Sequence, residues 1–344
     1  MVKKIKHLYI ILAITLLFCM NLTGCKSRDT ESVFGTGFYF DTVVSFTVYG
    51  TDDEQIIKEL QDECARLEKI FSATDTESEL YKLNNGETDL VSEDLYKCVQ
   101  RALIYCDILD GRYDISIRPV SELWNFKDGK DIIPDAKAIE EAVSKVNYRD
   151  IKLMGRYGDK YRIKLENGVR IDLGSAAKGY IGDKLIEYME DKGIKSAIIS
   201  LGGNVQCLGG KPGENGEYTD FKVAIKSPST YSNEYSDVLN IKDRAVVTSG
   251  IYERCFEKDG VLYHHILDSQ TGYPIDSDLA SVSIVCRSGM DADILSTACF
   301  IAGYDETLEI LEKSSDVEQV GGFEAEFIYK NGDVKKTAYF EQYR

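Results

Sequence analysis

The chain has 344 residues, of which 43% are hydrophobic and 29% charged, and it contains only 5 prolines. This composition is typical of a globular protein with one large or two moderate domains, and it excludes a disordered or low-complexity chain. Because 41 Lys and Arg stand against 58 Asp and Glu, the net charge is −17, and nucleic acid is not expected as a partner.

The first 24 residues have the pattern of a bacterial signal peptide. Lysines at positions 3, 4 and 6 precede an apolar run over residues 8–20, which is shorter than the roughly 20 residues needed to span a bilayer. The following Leu22-Thr23-Gly24-Cys25 resembles a lipobox, in which the cysteine is lipidated and becomes the new N-terminus. A signal sequence with a chance cysteine is the alternative.

This leader predicts both the location of the protein and the division of its chain. We expect a lipid-anchored protein on the extracytoplasmic face of a bacterial cell membrane. The predicted divisions are a signal peptide (1–24), the lipidated Cys25 with a polar tether (25–36) and one folded unit (37–344).

Helical and strand patterns alternate irregularly along the rest of the chain. Apolar residues recur every three or four positions over 53–71, which predicts an amphipathic helix, and Ser92 is a good N-cap for a second helix that Gly111 would end. Further helices are predicted over 135–146, 177–192, 290–302 and 305–312, strands over 40–49, 151–154, 161–165, 169–173, 196–201, 221–225, 245–248, 261–267 and 280–286, and a hairpin around Asn331-Gly332. Without a regular βαβ repeat, this mixture favours an α+β fold with antiparallel or mixed sheets.

Several common active-site patterns are missing from the sequence. It has no GxSxG nucleophile elbow, no P-loop and no GxGxxG after the first strand, and its cysteines lack the CxxC spacing of zinc or iron–sulfur sites. Beyond the leader only two histidines remain, His264 and His265. Adjacent residues on a strand point to opposite faces, so at most one of them faces a given site.

Asp293 and Thr297 form the most informative polar pair in the sequence. They stand four residues apart in a predicted helix and so share one face. A carboxylate and a hydroxyl placed in this way suit a hard cation such as Mg²⁺, which takes oxygen ligands. The alternative is a solvent-exposed Asp293 with Thr297 bonded back to a helix carbonyl.

Eight segments, taken together, resemble the ApbE family of FAD:protein FMN transferases. In chain order they are FDTVVSFTVYG, FSATDTESELYKLN, GRYDISIRPVSELWNF, IDLGSAAKGYIGD, SLGGN, VTSGIYERCF, HILDSQTGYP and DADILSTACFIAG. Their order and spacing are similar to those of the family. The lipobox agrees with the resemblance, because many members are lipoproteins.

The resemblance implies a two-lobed α+β catalytic unit with mixed or antiparallel sheets and flanking helices, which binds FAD between its lobes. The implied reaction is the Mg²⁺-dependent transfer of the FMN half of FAD to a Thr or Ser hydroxyl of an extracytoplasmic acceptor protein, with release of AMP. The acceptor would carry a motif similar to D-x-[ST]-G-A-[ST]. This motif does not occur in the chain itself, so self-modification is not expected.

Motif by motif, the resemblance also implies roles for individual residues. Mg²⁺ would be held by the side chains of Asp293 and Thr297 and by the backbone carbonyl of Ser175. His265 would accept the proton of the acceptor hydroxyl, because it and His264 are the sole bases beyond the leader that titrate near neutral pH. Asp293 would be the second catalytic residue. The implied FAD-binding residues are Phe40, Thr74, Arg112, Tyr113, Asp114, Asp172, Lys178 and Ile266.

Two other functions stay open at this point. An FAD pyrophosphatase would use the same residues, with water in place of the acceptor hydroxyl. A non-catalytic FAD-binding lipoprotein would retain FAD and release no AMP, although the Asp293 and Thr297 pair argues against it. Lys178 and His265 also have alternatives to their functional roles. Lys178 would then be an ordinary surface lysine, and His265 a hydrogen-bonded residue of a strand.

Overall fold

The computed structural model describes residues 31–126, 131–213, 216–228, 235–316 and 322–344. The predicted signal peptide and Cys25 lie outside these ranges. The helices within them are α1 (Gln55–Phe71), α2 (Glu79–Asn84), α3 (Glu93–Ile108), α4 (Arg118–Trp124), α5 (Ala136–Val143), α6 (Ala177–Asp191) and α7 (Gly289–Asp316). The strands are β1 (Ser32–Tyr39), β2 (Thr42–Tyr49), β3 (Leu90–Val91), β4 (Ile151–Tyr157), β5 (Lys160–Leu165), β6 (Ala197–Leu201), β7 (Asn204–Leu208), β8 (Lys211–Pro212), β9 (Tyr218–Thr219), β10 (Phe221–Lys226), β11 (Tyr235–Ile241), β12 (Arg244–Gly250), β13 (Cys255–Lys258), β14 (Val261–His264), β15 (Leu279–Cys286), β16 (Phe323–Tyr329) and β17 (Val334–Lys336).

An eight-stranded sheet organises the described part of the chain. Its order is β1-β2-β6-β7-β12-β15-β16-β17, and all neighbouring strands in it are antiparallel. β15 is buried at every position, because α7 covers one face of the sheet and the β10–β11 hairpin covers the other. The predicted α+β class with antiparallel sheets and flanking helices is confirmed.

The helices pack where their apolar periodicity predicts. The buried face of α1 includes Ile56, Leu60, Cys64 and Leu67, spaced three or four residues apart. Ser92 caps α3, as predicted, by accepting a hydrogen bond from the backbone N–H of Leu95. A satellite cluster around Trp124 joins α4 and α5 to β13. The helices α1, α3, α6 and α7 share the main core with the sheet.

The strand predicted over 169–173 is wrong. These residues form an irregular segment with a single isolated bridge, Ile117 to Arg170. The side-chain amide of Asn84 forms the hydrogen bonds that a neighbouring strand would form. It accepts the backbone N–H of Ile171 at 2.7 Å and donates to the backbone carbonyl of Ile171 at 2.8 Å. This segment continues directly into the loop that carries Asp172.

The predicted tether and two strand boundaries also need correction. Residues 32–36 belong to β1, which pairs along its whole length with β2. The strand predicted over 40–49 begins at Thr42, since Phe40 and Asp41 form the turn of the β1–β2 hairpin. The strand predicted over 261–267 ends at His264.

The long helix α7 is interrupted at Gly303, where φ is +78°. This break separates the two helices predicted over 290–302 and 305–312, and it leaves Asp293 and Thr297 together on the first one. No helix among the described residues has both the length and the apolar character to cross a membrane.

Candidate active site

A cavity of about 1070 Å³ opens between the β1–β2 turn, the starts of α4 and α6, the first turns of α7 and the ends of β12 and β14. This volume is large enough for a dinucleotide-sized ligand. The cavity is lined by all the residues predicted for catalysis, FAD binding or metal binding, namely Phe40, Thr74, Arg112, Tyr113, Asp114, Asp172, Ser175, Lys178, His265, Ile266, Asp293 and Thr297. Their individual roles stay predictions.

Asp293 lines the cavity and is buried, with 4% of its surface exposed. Its Oδ2 accepts the backbone N–H of Gly179 at 2.9 Å, and its Oδ1 lies 3.6 Å from the ammonium of Lys178. One turn further along α7, the Thr297 hydroxyl lies 3.2 Å from Ser249 Oγ on β12. The alternative of a solvent-exposed Asp293 is therefore wrong.

The residues predicted to hold Mg²⁺ offer oxygen atoms of the kinds that this ion prefers. The Ser175 hydroxyl forms a hydrogen bond of 3.0 Å with the Tyr113 hydroxyl. In a regular helix the N–H of Gly179 would donate to the Ser175 carbonyl, but here it donates to Asp293. A carboxylate, a hydroxyl and a carbonyl are hard ligands, and Mg²⁺ usually takes few ligands from protein. Among the described residues there is no group of three or more His, Cys, Asp and Glu that could hold a metal, so a site rich in anionic ligands is not formed there.

The two histidines occupy different environments, with His264 as the last residue of β14 and His265 just beyond the end of that strand. His265 lines the cavity, its backbone N–H donates to the Arg254 carbonyl at 3.1 Å, and its buried Nδ1 has no hydrogen-bond partner among the described residues. His264 is turned away, with Nε2 3.2 Å from the Ile275 carbonyl and its ring edge-on to Phe300.

Both imidazoles are neutral at physiological pH. Burial lowers the pKa of His265 most, and the neighbouring Arg254, His264 and Lys178 lower it less; together they bring it to about 3. Burial also lowers the pKa of His264 to about 4. A neutral histidine in the cavity is in the protonation state that a proton acceptor requires.

Phe40 lies at the cavity edge in a strained backbone conformation. Its φ is +56°, in the left-handed region that costs a residue other than glycine about 1–3 kcal/mol. A hydrogen bond of 2.7 Å from its N–H to Glu68 Oε1 holds the turn in place. Such strain often accompanies ligand sites, which agrees with the predicted FAD contact.

Asp172, which also lines the cavity, is held by neighbouring hydrogen-bond donors. Oδ1 accepts the N–H of Gly174 at 2.9 Å, and Oδ2 accepts the Ser121 hydroxyl at 2.6 Å and lies 3.7 Å from Arg118. These contacts fix the direction of the carboxylate before any ligand binds.

Asp114 has a structural role that the sequence did not reveal. One oxygen accepts both the N–H and the hydroxyl of Ser116, and the other accepts the N–H of Tyr148. Burial raises its pKa, whereas these hydrogen bonds act in the opposite direction. Nearby Arg112 pairs with Glu306 on α7.

Several charged residues in the cavity were not selected from the sequence. They are Asp41, Glu68, Arg118, Glu122, Lys226, Glu253 and Arg254. Burial raises the pKa of Glu253, while Lys178 and Arg254 lower it. Arg118, Glu253 and Arg254 fall within quoted motifs and could have been chosen, but Lys226 ends a strand with ordinary alternation and carries no such signal.

An α+β fold with a large cavity, lined by a buried carboxylate, a neutral histidine and several cationic side chains, defines an enzyme that binds an extended, charged ligand. Residues 40–320 match the profile of the ApbE family, and the chain belongs to that family. The family predicted from the eight segments is confirmed.

Similar proteins of known name or structure agree with this membership. The FAD:protein FMN transferase of Treponema pallidum is 33% identical over 281 residues, which cover 79% of this chain and 76% of that protein. The protein of the same name from Escherichia coli K12 is 26% identical and covers 93% and 90%. The crystal structure of the ApbE protein of Thermotoga maritima has a TM-score of 0.79 at 28% identity, over 91% of this chain and 99% of that one. The flavin transferase ApbE of Vibrio cholerae, at 22% identity and a TM-score of 0.77 over 91% and 99%, shares the fold.

Proposed function

We propose that the chain is an FAD:protein FMN transferase that uses Mg²⁺, modifies a Thr or Ser hydroxyl of an acceptor protein and releases AMP. The observation that carries the proposal is that residues from distant motifs, among them Asp172, Lys178, His265 and Asp293, line one cavity. The names of the relatives support the same activity. The acceptor is expected to carry a motif similar to D-x-[ST]-G-A-[ST].

In this reaction the oxygen of the acceptor hydroxyl attacks the phosphorus of the FMN half. A P–O bond forms, the P–O bond to AMP breaks, and the hydroxyl proton passes to the neutral ring of His265. Asp293, Thr297 and the Ser175 carbonyl would hold Mg²⁺, which neutralises charge on the pyrophosphate when bound. Lys178, 3.6 Å from Asp293, supplies a second positive charge.

The purified protein, incubated with FAD, Mg²⁺ and an acceptor domain carrying the motif, is expected to produce a fluorescent acceptor band on a denaturing gel. The matched control is the same acceptor with its target Thr or Ser replaced by Ala, which should stay dark. Absence of a band with several motif-bearing acceptors would contradict the proposal. Accumulation of FMN and AMP without acceptor would favour the pyrophosphatase, and FAD binding without any AMP would favour the non-catalytic protein.

We also propose that the protein is anchored to the extracytoplasmic face of the membrane through Cys25. Cys25→Ser is expected to move the protein from the detergent-soluble membrane fraction to the soluble fraction, because a lipid chain contributes about 0.8 kcal/mol per buried CH₂. The measurement is immunoblotting of both fractions, with Cys255→Ser, at an exposed cysteine of β13, as the control that should stay in the membrane. Unchanged membrane association of Cys25→Ser would contradict the anchor.

A further inference from the structure

A single carboxylate of α6 fastens the start of α7. Asp183 accepts the backbone N–H groups of Gly289 at 2.6 Å and Met290 at 3.0 Å, and the hydroxyl of Ser288 at 2.8 Å. The first N–H groups of a helix have no partner within the helix and carry partial positive charge, so a carboxylate is favoured there. Asp183 therefore caps a helix other than its own.

Below this cap the two helices touch through their backbones. A Cβ on Gly179 would lie 2.1 Å from the Gly289 carbonyl oxygen, so no larger residue fits without a shift of the helices. The side-chain amide of Gln206 donates to the Gly179 carbonyl at 3.0 Å and fills the adjoining space, 1.6 Å from where a Cβ on Gly289 would be. The relative position of α6 and α7 is thus set at this contact.

The same contact places the predicted metal ligand. Gly179 and Asp183 are four residues apart on α6, and Gly289 and Asp293 are four residues apart on α7, so each pair shares one helix face. The Asp183 bond to Gly289 and the Gly179 bond of 2.9 Å to Asp293 are therefore reciprocal links, one turn apart. Movement at either link would displace Asp293 from Lys178.

We propose that Asp183 is a positioning residue, which holds α7 so that the Asp293 carboxylate stays next to the Gly179 N–H and Lys178, in the position from which it is proposed to bind Mg²⁺. The inference rests on the proposed function. Asp183 does not line the cavity, so it acts through the start of α7. Residues that orient a metal ligand without touching the metal typically change metal affinity by about 10- to 100-fold.

The test is a Mg²⁺ titration of the full protein with bound FAD, followed by flavin fluorescence and by the melting temperature. It is performed at pH 8, because burial raises the pKa of Asp183 to about 6 and the carboxylate must be ionised. Asp183→Asn is expected to raise the half-saturating Mg²⁺ concentration at least about tenfold, and kcat at saturating Mg²⁺ should stay within about threefold.

Two further variants separate positioning from stability. Ser288→Ala removes one of the three hydrogen bonds to Asp183, together with the bond of 3.1 Å that the Ser288 hydroxyl accepts from the Asp291 N–H. It should raise the midpoint about two- to threefold, and it decides the question if Asp183→Asn does not fold. Phe340→Leu, in the core cluster behind the sheet, should lower the melting temperature and leave the Mg²⁺ midpoint unchanged.

The outcomes distinguish this inference from the proposed function. If Asp183→Asn has the same half-saturating Mg²⁺ concentration as the wild-type protein, the positioning role alone is overturned. If Asp183→Asn does not fold, the same result in Ser288→Ala overturns it. A shift in Phe340→Leu that matches the shift in Asp183→Asn would also overturn it. Absence of any Mg²⁺ response in the wild-type protein would overturn the metal assignment itself, and this inference with it.

Discussion

Asp293→Asn is expected to lower the rate of FMN transfer by at least about a hundredfold, the usual loss when one charge-stabilising group is removed from an active site. Asn has the shape of Asp, and its carbonyl oxygen can still accept the hydrogen bond from Gly179 N–H, which is 2.9 Å from Asp293 in the structure. The substitution therefore removes the negative charge and preserves the contact between α6 and α7. Initial rates of acceptor fluorescence across a range of Mg²⁺ concentrations measure the effect.

Asp293→Ala is the less informative substitution. It would leave the buried N–H of Gly179 without its acceptor, and an unsatisfied buried group costs about 1–3 kcal/mol of the free energy of unfolding. The matched control is Asp305→Asn, at an exposed acid further along α7, which should retain full activity. Transfer by Asp293→Asn near the wild-type rate at low millimolar Mg²⁺ would show that the ligand assignment is wrong.

The sequence predicted the secondary structure best where that structure depends on residues close together in the chain. Apolar spacing located α1, the hydroxyl of Ser92 located the start of α3, and Gly303 separated the two helical patterns of α7. These features arise from local periodicity, capping and backbone freedom, which a single sequence records directly.

The failed predictions depend on contacts between distant residues. Residues 169–173 have the composition of a strand, but the backbone of Ile171, at their centre, pairs with the side-chain amide of Asn84. The outward face of β1 carries Phe34 and Phe38, which are largely exposed, and residues 32–36 of this strand fall in the predicted tether. No local rule predicts either arrangement.

For the site, the sequence predicted which residues line the cavity but not how they are arranged in it. Motif resemblance selected the residues that line the cavity, because residue types and order suffice for that. It did not reveal that Asp293 is buried, nor that both oxygens of Asp114 are used by Ser116 and Tyr148. The cap that Asp183 forms on α7 was also hidden, since it requires the position of one helix relative to another.

His265→Asn is expected to lower the transfer rate by about 10²- to 10⁴-fold, the usual contribution of a general base, while FAD and Mg²⁺ binding are retained. His264→Asn should keep the rate per folded molecule within a few fold, because His264 faces the Ile275 carbonyl and Phe300 instead of the cavity. The prediction is checked by measuring the transfer rate and the FAD affinity of both variants under the same conditions.

The pH dependence provides an independent test of the same role. A pKa of about 3 for His265 means that the folded protein keeps this ring neutral down to acidic pH. At saturating Mg²⁺, where protonation of Asp183 should have little effect, no loss of transfer is therefore expected near pH 6.5, where an ordinary histidine becomes protonated. The groups that lower this pKa besides burial are Arg254, His264 and Lys178. A fall in rate near pH 6.5 that disappears in His265→Asn would contradict the low pKa.

Equal rate losses in the two histidine variants, or a loss in His265→Asn confined to FAD affinity, would mean that His265 shapes the pocket without accepting the proton. A carboxylate would then be the acceptor. Asp268 is a poor candidate, because its Oδ1 accepts the N–H groups of Gln270 and Thr271 in a turn. Glu253 lines the cavity, and its pKa is raised by burial, so Glu253→Gln is the variant that should then abolish transfer.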